Sequence, residues 1–86
     1  MLVPPNELVQ IYIYDLYENK KIPFNLALSS TGKDLKKLYF EAISEDETKY
    51  KCRLLFGGSE LQDDHKLFQH NIKEGFQIQI IKSIIE

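Results

Sequence analysis

Val9, Ile11 and Ile13 alternate with Gln10, Tyr12 and Tyr14, and after a polar break Ile22, Phe24 and Leu26 alternate with Lys21, Pro23 and Asn25. A period of two marks a strand with one buried face. The pattern predicts a first strand over residues 9–15 and a second strand joined to it by a hairpin through Tyr17, Glu18, Asn19 and Lys20. Pro23 has no N–H to give to a neighbour, so a sheet tolerates it only where its nitrogen faces outward, and the second strand belongs at an edge. A hairpin of this kind cannot stand alone; the rest of the chain must cover its apolar face.

The next segment supplies the cover. Ser29, Ser30 and Thr31 offer side-chain oxygens for a helix N-cap, and Asp34 lies three residues after Thr31, in the first turn. Leu35, Leu38, Tyr39, Ala42 and Ile43 then recur at helical spacing, with Lys33, Lys36, Lys37 and Glu41 expected to face away, and the helix ends near Ser44. The stretch Glu45, Asp46, Glu47, Thr48, Lys49 follows neither period and reads as a solvated acidic loop. Arg53, Leu54, Leu55 and Phe56 read as a short strand running into a tight turn at Gly57-Gly58, and Leu61 adds a very short strand. Leu67, Phe68 and Ile72 are the expected anchors of a brief helical segment, and Phe76, Ile78 and Ile80 alternate with Gln77 and Gln79 as the last strand. The order β-β-α-β-(β)-β defines an α+β domain with a mixed four- to five-stranded sheet packed on one α-helix. Its 86 residues allow one domain, expected over residues 9–86 with residues 1–8 as a flexible lead-in.

Eleven basic against thirteen acidic residues give a net charge of −2, which offers no global attraction to phosphate backbones or anionic lipid. Nucleic acid and membrane are therefore not expected partners. The one cysteine, Cys52, cannot close an internal disulfide, which favours a reducing compartment, cytoplasmic or nuclear. The opening residues lack the basic and apolar regions of a secretion signal, and no apolar run approaches the roughly 18 residues of a membrane span. Cys52, His65, His70, Asp63 and Asp64 lack the paired spacings of metal sites and the third orienting group of a thiol catalyst, so no metal, no cofactor and no enzyme activity is expected. Gly32-Lys33 has no upstream glycine five residues before and is not a phosphate loop. Tyr12 and Tyr14 sit on the outer face of the first strand, without the basic groove that nucleic-acid stacking needs, and form a candidate secondary protein-contact surface.

The order of elements, together with the stretch from Arg53-Leu54-Leu55-Phe56 through Gly58, Leu61 and Asp63 and the later Leu67, Asn71-Ile72 and Ile78-Gln79-Ile80-Ile81, resembles the ubiquitin family and its β-grasp fold. The similarity extends over about residues 9–83, with the helix matched over residues 31–42. It implies an apolar binding patch on the open face of the sheet at Leu16, Leu55 and Ile81, with Gln79 in the place of the family's patch histidine and Arg53 at the rim. Alternation supports the same patch independently: with Leu54 and Phe56 inward, Leu55 faces out, and with Ile78 and Ile80 inward, Ile81 interrupts the polar outer series of Gln77 and Gln79. The resemblance implies a monomeric, noncovalent protein-binding module of a eukaryotic ubiquitin–proteasome pathway protein, meeting ubiquitin-receptor or proteasomal-receptor partners.

The chain departs from the family at its end. Glu86 stands where the first glycine of a conjugating tail would fall, Ser83 replaces the tail arginine, and Ser59 and Glu74 occupy two chain-building lysine positions, while Lys20 and Lys36 match others. Two alternatives to the binding module follow. One is a modifier whose Gly-Gly tail is missing from this chain; the other is a structural domain packing against its own parent chain.

Overall fold

The computed structural model describes residues 8–85. Residues 1–7 of the expected lead-in, and Glu86, lie outside them; Leu8, also assigned to the lead-in, instead opens the first strand. The elements are β1 (Leu8–Asp15), β2 (Lys20–Ala27), α1 (Gly32–Ala42), β3 (Tyr50–Phe56), β4 (Ser59–Leu61) and β5 (Gln77–Ile84), with short 3-10 turns at Glu47–Lys49 and Leu67–His70. The five strands form one sheet in the order β2-β1-β5-β3-β4. β1 runs parallel to β5 and antiparallel to β2, and β3 is antiparallel to both β5 and β4.

The direction of the backbone groups explains Pro23. Tyr12 donates its N–H to the Phe76 carbonyl at 2.9 Å and the Gln10 carbonyl accepts from Gly75 at 2.7 Å, so even-numbered residues of β1 turn their backbone to β5 and odd-numbered ones to β2. Pro23 stands opposite Tyr12, so its nitrogen points away from β1 at the sheet edge, where no donor is needed.

One face of the sheet is closed by α1. Ile11, Ile13, Leu54, Leu61, Ile78 and Ile80 are fully buried against Leu35 and Tyr39 of the helix, with Leu67 and Ile72 sealing the layer from the β4–β5 connection. The helix begins as its sequence directs: the Thr31 hydroxyl accepts from the Asp34 N–H at 3.3 Å and the Asp34 carboxylate accepts from the Thr31 N–H at 3.1 Å. Gly32 allows the helix N-terminus to press on the β4–β5 connection, since a β-carbon there would stand 2.3 Å from the Gln62 carbonyl oxygen. Gly57 and Gly58, both at positive φ, make the two-residue turn between β3 and β4.

The buried stripe of α1 is rotated from the expected one. It runs through Gly32, Leu35, Tyr39 and Phe40, leaving Ala42 exposed and Leu38 half-buried. Phe40 enters the core because its ring stacks on Tyr50, 5.4 Å between centroids, and meets Tyr39 edge-on at 5.3 Å. The same rotation brings Lys36 under cover, where its ammonium meets Asp63 at 2.7 Å. Phe68 is exposed rather than an anchor, and Phe76 precedes β5, half-exposed and stacked on Phe56 at 5.7 Å.

Candidate functional site

The sheet face away from α1 is built by register. Tyr14 lies beside Lys21 on one side and Gln79 on the other, Gln79 is opposite Leu55, and Leu55 is opposite Glu60, which forms one row across all five strands. In the neighbouring row Ile81 stands opposite Arg53, so Leu55 and Ile81 are diagonal neighbours on the same face. Leu16 is the first residue past β1, just beyond the point where the ladder to β5 ends at the pair Asp15–Ile80. Leu16 is 48% exposed and Ile81 41%, while Leu55 is half-buried among its neighbours. Leu55, Ile81, Gln79 and Arg53 thus share one open face, and Leu16 is exposed in the turn that follows β1. Arg53 directs two N–H groups at one Glu60 carboxylate oxygen, at 2.8 and 3.1 Å, and Lys21 and Lys51 add two further cations to the open face.

The two tyrosines of the proposed secondary surface are engaged from within. The Lys21 ammonium lies over the Tyr12 ring, 4.4 Å from its centroid, and the Tyr14 hydroxyl donates to the Asn19 side chain. The Tyr12 face that would stack on a base is covered by the domain's own lysine.

Behind the patch lies a cluster that the sequence reading missed. Asp15 is 1% exposed and accepts at Oδ2 from the Tyr39 hydroxyl, with the Lys82 ammonium 3.3 Å away. Its other oxygen accepts from the N–H groups of Tyr17, at 2.9 Å, and Glu18, at 3.2 Å. Lys82 also stands 3.3 Å from the Tyr39 hydroxyl oxygen and 4.0 Å from a Glu18 oxygen. Burial alone would raise the Asp15 carboxyl; hydrogen bonds from Tyr39, the Glu18 backbone and Lys82 outweigh it and hold the group below its ordinary value. The same burial, and the neighbouring carboxylate, push the Tyr39 hydroxyl far up.

This cluster orients the patch. Asp15 ties down the turn that carries Leu16, and Lys82, drawn inward, leaves Ile81 facing outward on the alternating strand. The parity was in the sequence: Asp15 is in phase with Val9, Ile11 and Ile13, and Lys82 with Ile78 and Ile80. Two opposite charges in phase with two apolar series are the signature of a buried pair.

Elsewhere, Cys52 is half-buried on β3, and burial pushes its thiol up to about 11, far from the range of a nucleophilic thiolate. The His65 and His70 rings meet at 3.0 Å between nitrogens, and His65 Nδ1 is 3.3 Å from the Gln62 N–H. Among the described residues no three His, Cys, Asp or Glu side chains converge as a metal site.

A hairpin, a single helix across it and a sheet whose first and last strands run parallel at its centre describe a β-grasp, and the ubiquitin family model matches residues 15–84. The chain belongs to the ubiquitin family. No match to a curated protein was found. The family match starts at the last residue of β1, and the structure adds the rest of that strand to this ubiquitin-like domain. Ubiquitin-like domains are in general non-enzymatic and mediate protein interactions.

Proposed function

We propose that this ubiquitin-like domain is a noncovalent recognition module that receives an amphipathic helix or a small helical domain on its open sheet face. The carrying observation is that Leu55 and Ile81 are diagonal neighbours on that face, with Gln79 between Tyr14 and Leu55 and Leu16 exposed where β1 ends. Contiguous exposed aliphatic surface on an otherwise polar sheet is the usual mark of a contact site. Gln79 and the unpaired donors of Arg53 orient the partner, and Lys21 and Lys51 favour a partner with acidic residues beside its apolar stripe. The partners are ubiquitin-receptor modules or proteasomal receptors in the cytoplasm or nucleus, and the parent is a protein of the ubiquitin–proteasome pathway. A patch of this size belongs with transient interfaces below about 1,200 Å², hence micromolar to submillimolar binding.

The test is a backbone-amide NMR titration of the domain with ubiquitin-receptor modules and proteasomal receptor fragments. Saturable shifts at Leu16, Leu55, Gln79 and Ile81 are expected. Silence at near-millimolar receptor would reject the role and point to a structural domain whose open face is covered by its parent chain.

A further inference from the structure

The sheet has an unfinished edge at its centre. β5 continues to Ile84, but its ladder with β1 stops at the pair Asp15–Ile80, because the Asp15 carboxylate captures the next turn and bends the chain away toward β2. Ile85 donates its N–H to the Lys49 carbonyl on the β3 side, and the Phe76 carbonyl faces β1. By alternation, Ile81 and Ser83 bond to β3 while Lys82 and Ile84 turn their N–H and C=O groups to the side that β1 has left. Among the described residues no backbone hydrogen bond joins Lys82 or Ile84 to the departing turn. The gap is also a cavity, of about 330 Å³, lined by Tyr17 and Glu18 from the turn, Tyr50 of β3, and Lys82, Ser83 and Ile84.

We propose that this gap is a docking slot for an extended peptide strand from a partner, which pairs with the Lys82 and Ile84 backbone and seats one large apolar or aromatic side chain between Tyr17 and Tyr50. Only an extended backbone can answer unpaired groups at alternate residues of a strand; the backbone groups of a helix are consumed internally. The cavity lies at the small end of ligand pockets, about 300–1,000 Å³, and suits a single side chain. Its charges are mutually satisfied, since the Lys82 ammonium is held by Asp15, Tyr39 and Glu18, so an ionic anchor gains nothing there while an apolar one buries against Tyr17, Tyr50 and Ile84. A second copy fits less well: antiparallel pairing of two β5 edges about Ser83 would carry Ile85 of one copy to Ile81 of the other, next to Ile80, whose edge is already filled by Asp15 of β1.

The experiment follows the amides of the full chain by NMR while adding a blocked pentapeptide of threonine and valine around a central phenylalanine. Saturable shifts are expected at Tyr17, Glu18, Lys82, Ser83 and Ile84, with slowed hydrogen exchange at the Lys82 and Ile84 N–H. An alanine-centred peptide should bind about 10- to 100-fold more weakly, the equivalent of about 1.5–3 kcal/mol for a buried phenylalanine. Ile84→Pro deletes an N–H that β3 does not use and should abolish binding with the β3 ladder intact. Tyr17→Ala, at a residue 84% exposed, should weaken binding without loss of folding. Unchanged exchange at Lys82 and Ile84 in millimolar peptide would overturn the proposal, as would shifts confined to Leu55 and Gln79. Shifts at the same amides on concentrating the protein alone would assign the edge to a second copy instead.

Discussion

Lys82 and Arg53 sit on neighbouring strands, one residue out of register, and each meets a carboxylate within hydrogen-bonding reach: Asp15 at 3.3 Å and Glu60 at 2.8 Å. The Lys82 side chain is 4% exposed and that of Arg53 61%. The shorter contact is the weaker one. Water screens Arg53 and would solvate either partner if the other were lost, whereas Asp15 and Lys82 have only each other, Tyr39, Glu18 and two backbone N–H groups. Breaking the inner pair therefore leaves a buried charge without its counter-charge, while breaking the outer pair frees one into solvent.

The largest expected effect is that of Lys82→Ala, which should lower unfolding free energy by about 3–5 kcal/mol in urea titrations, because the buried Asp15 loses its counter-charge and keeps only neutral donors. Replacing the whole cluster sharpens the point: Asp15→Val, Tyr39→Phe and Lys82→Leu together should recover most of that loss, because no buried side chain is then left with an unpaired polar atom. Equal losses in the single and triple variants would show that the cluster stabilises in its own right. The inner pair also sets an acid limit. Asp15 titrates below its ordinary value in the folded state, so between the two values the unfolded chain binds more protons and stability rises with pH. Its contribution is complete above the unfolded carboxyl value of about 3.9 and fades as pH falls through the folded one. The stability gap between wild type and Asp15→Asn, from thermal melts at stepped pH, should narrow on acidification in that range.

The outer face should behave oppositely. Leu55→Ala should cost about 2 kcal/mol or more of partner affinity by NMR titration and less than about 1 kcal/mol of stability. Equal losses of both would mean that the face of β3 has been misassigned. The smallest effect belongs to the exposed pair: Arg53→Ala and Glu60→Ala should each shift stability by about 0.2–1 kcal/mol, with a double-mutant coupling reduced by salt.

The fold was legible because local rules agree with one another. Two alternating runs, a capping box at Thr31 and Asp34, a glycine pair at a hairpin and an outward-facing proline each determine one element. The outward placement of Leu55 and Ile81 was legible for the same reason, since period two alone sends both to the open face. What escaped were features decided by contacts between distant elements. Phe40 is buried by Tyr50, Lys36 is covered through Asp63, and Phe76 is held at the rim by Phe56. No local period encodes these. The Asp15–Lys82 pair was readable in parity, but a charged side chain at a strand end ordinarily faces solvent, and that expectation hid it.

The central pair of the sheet joins the first strand of the sequence to the last, Tyr12 beside Gln77. During synthesis β1 and β2 leave the ribosome as a hairpin with an uncovered apolar face, and the middle of the sheet cannot close until β5, the last strand of this domain, has followed. Such long-range contacts make assembly a single late event rather than a stepwise one. A ribosome stalled before β5 would thus present an open hairpin and a helix without a core, a species for chaperones rather than for receptors.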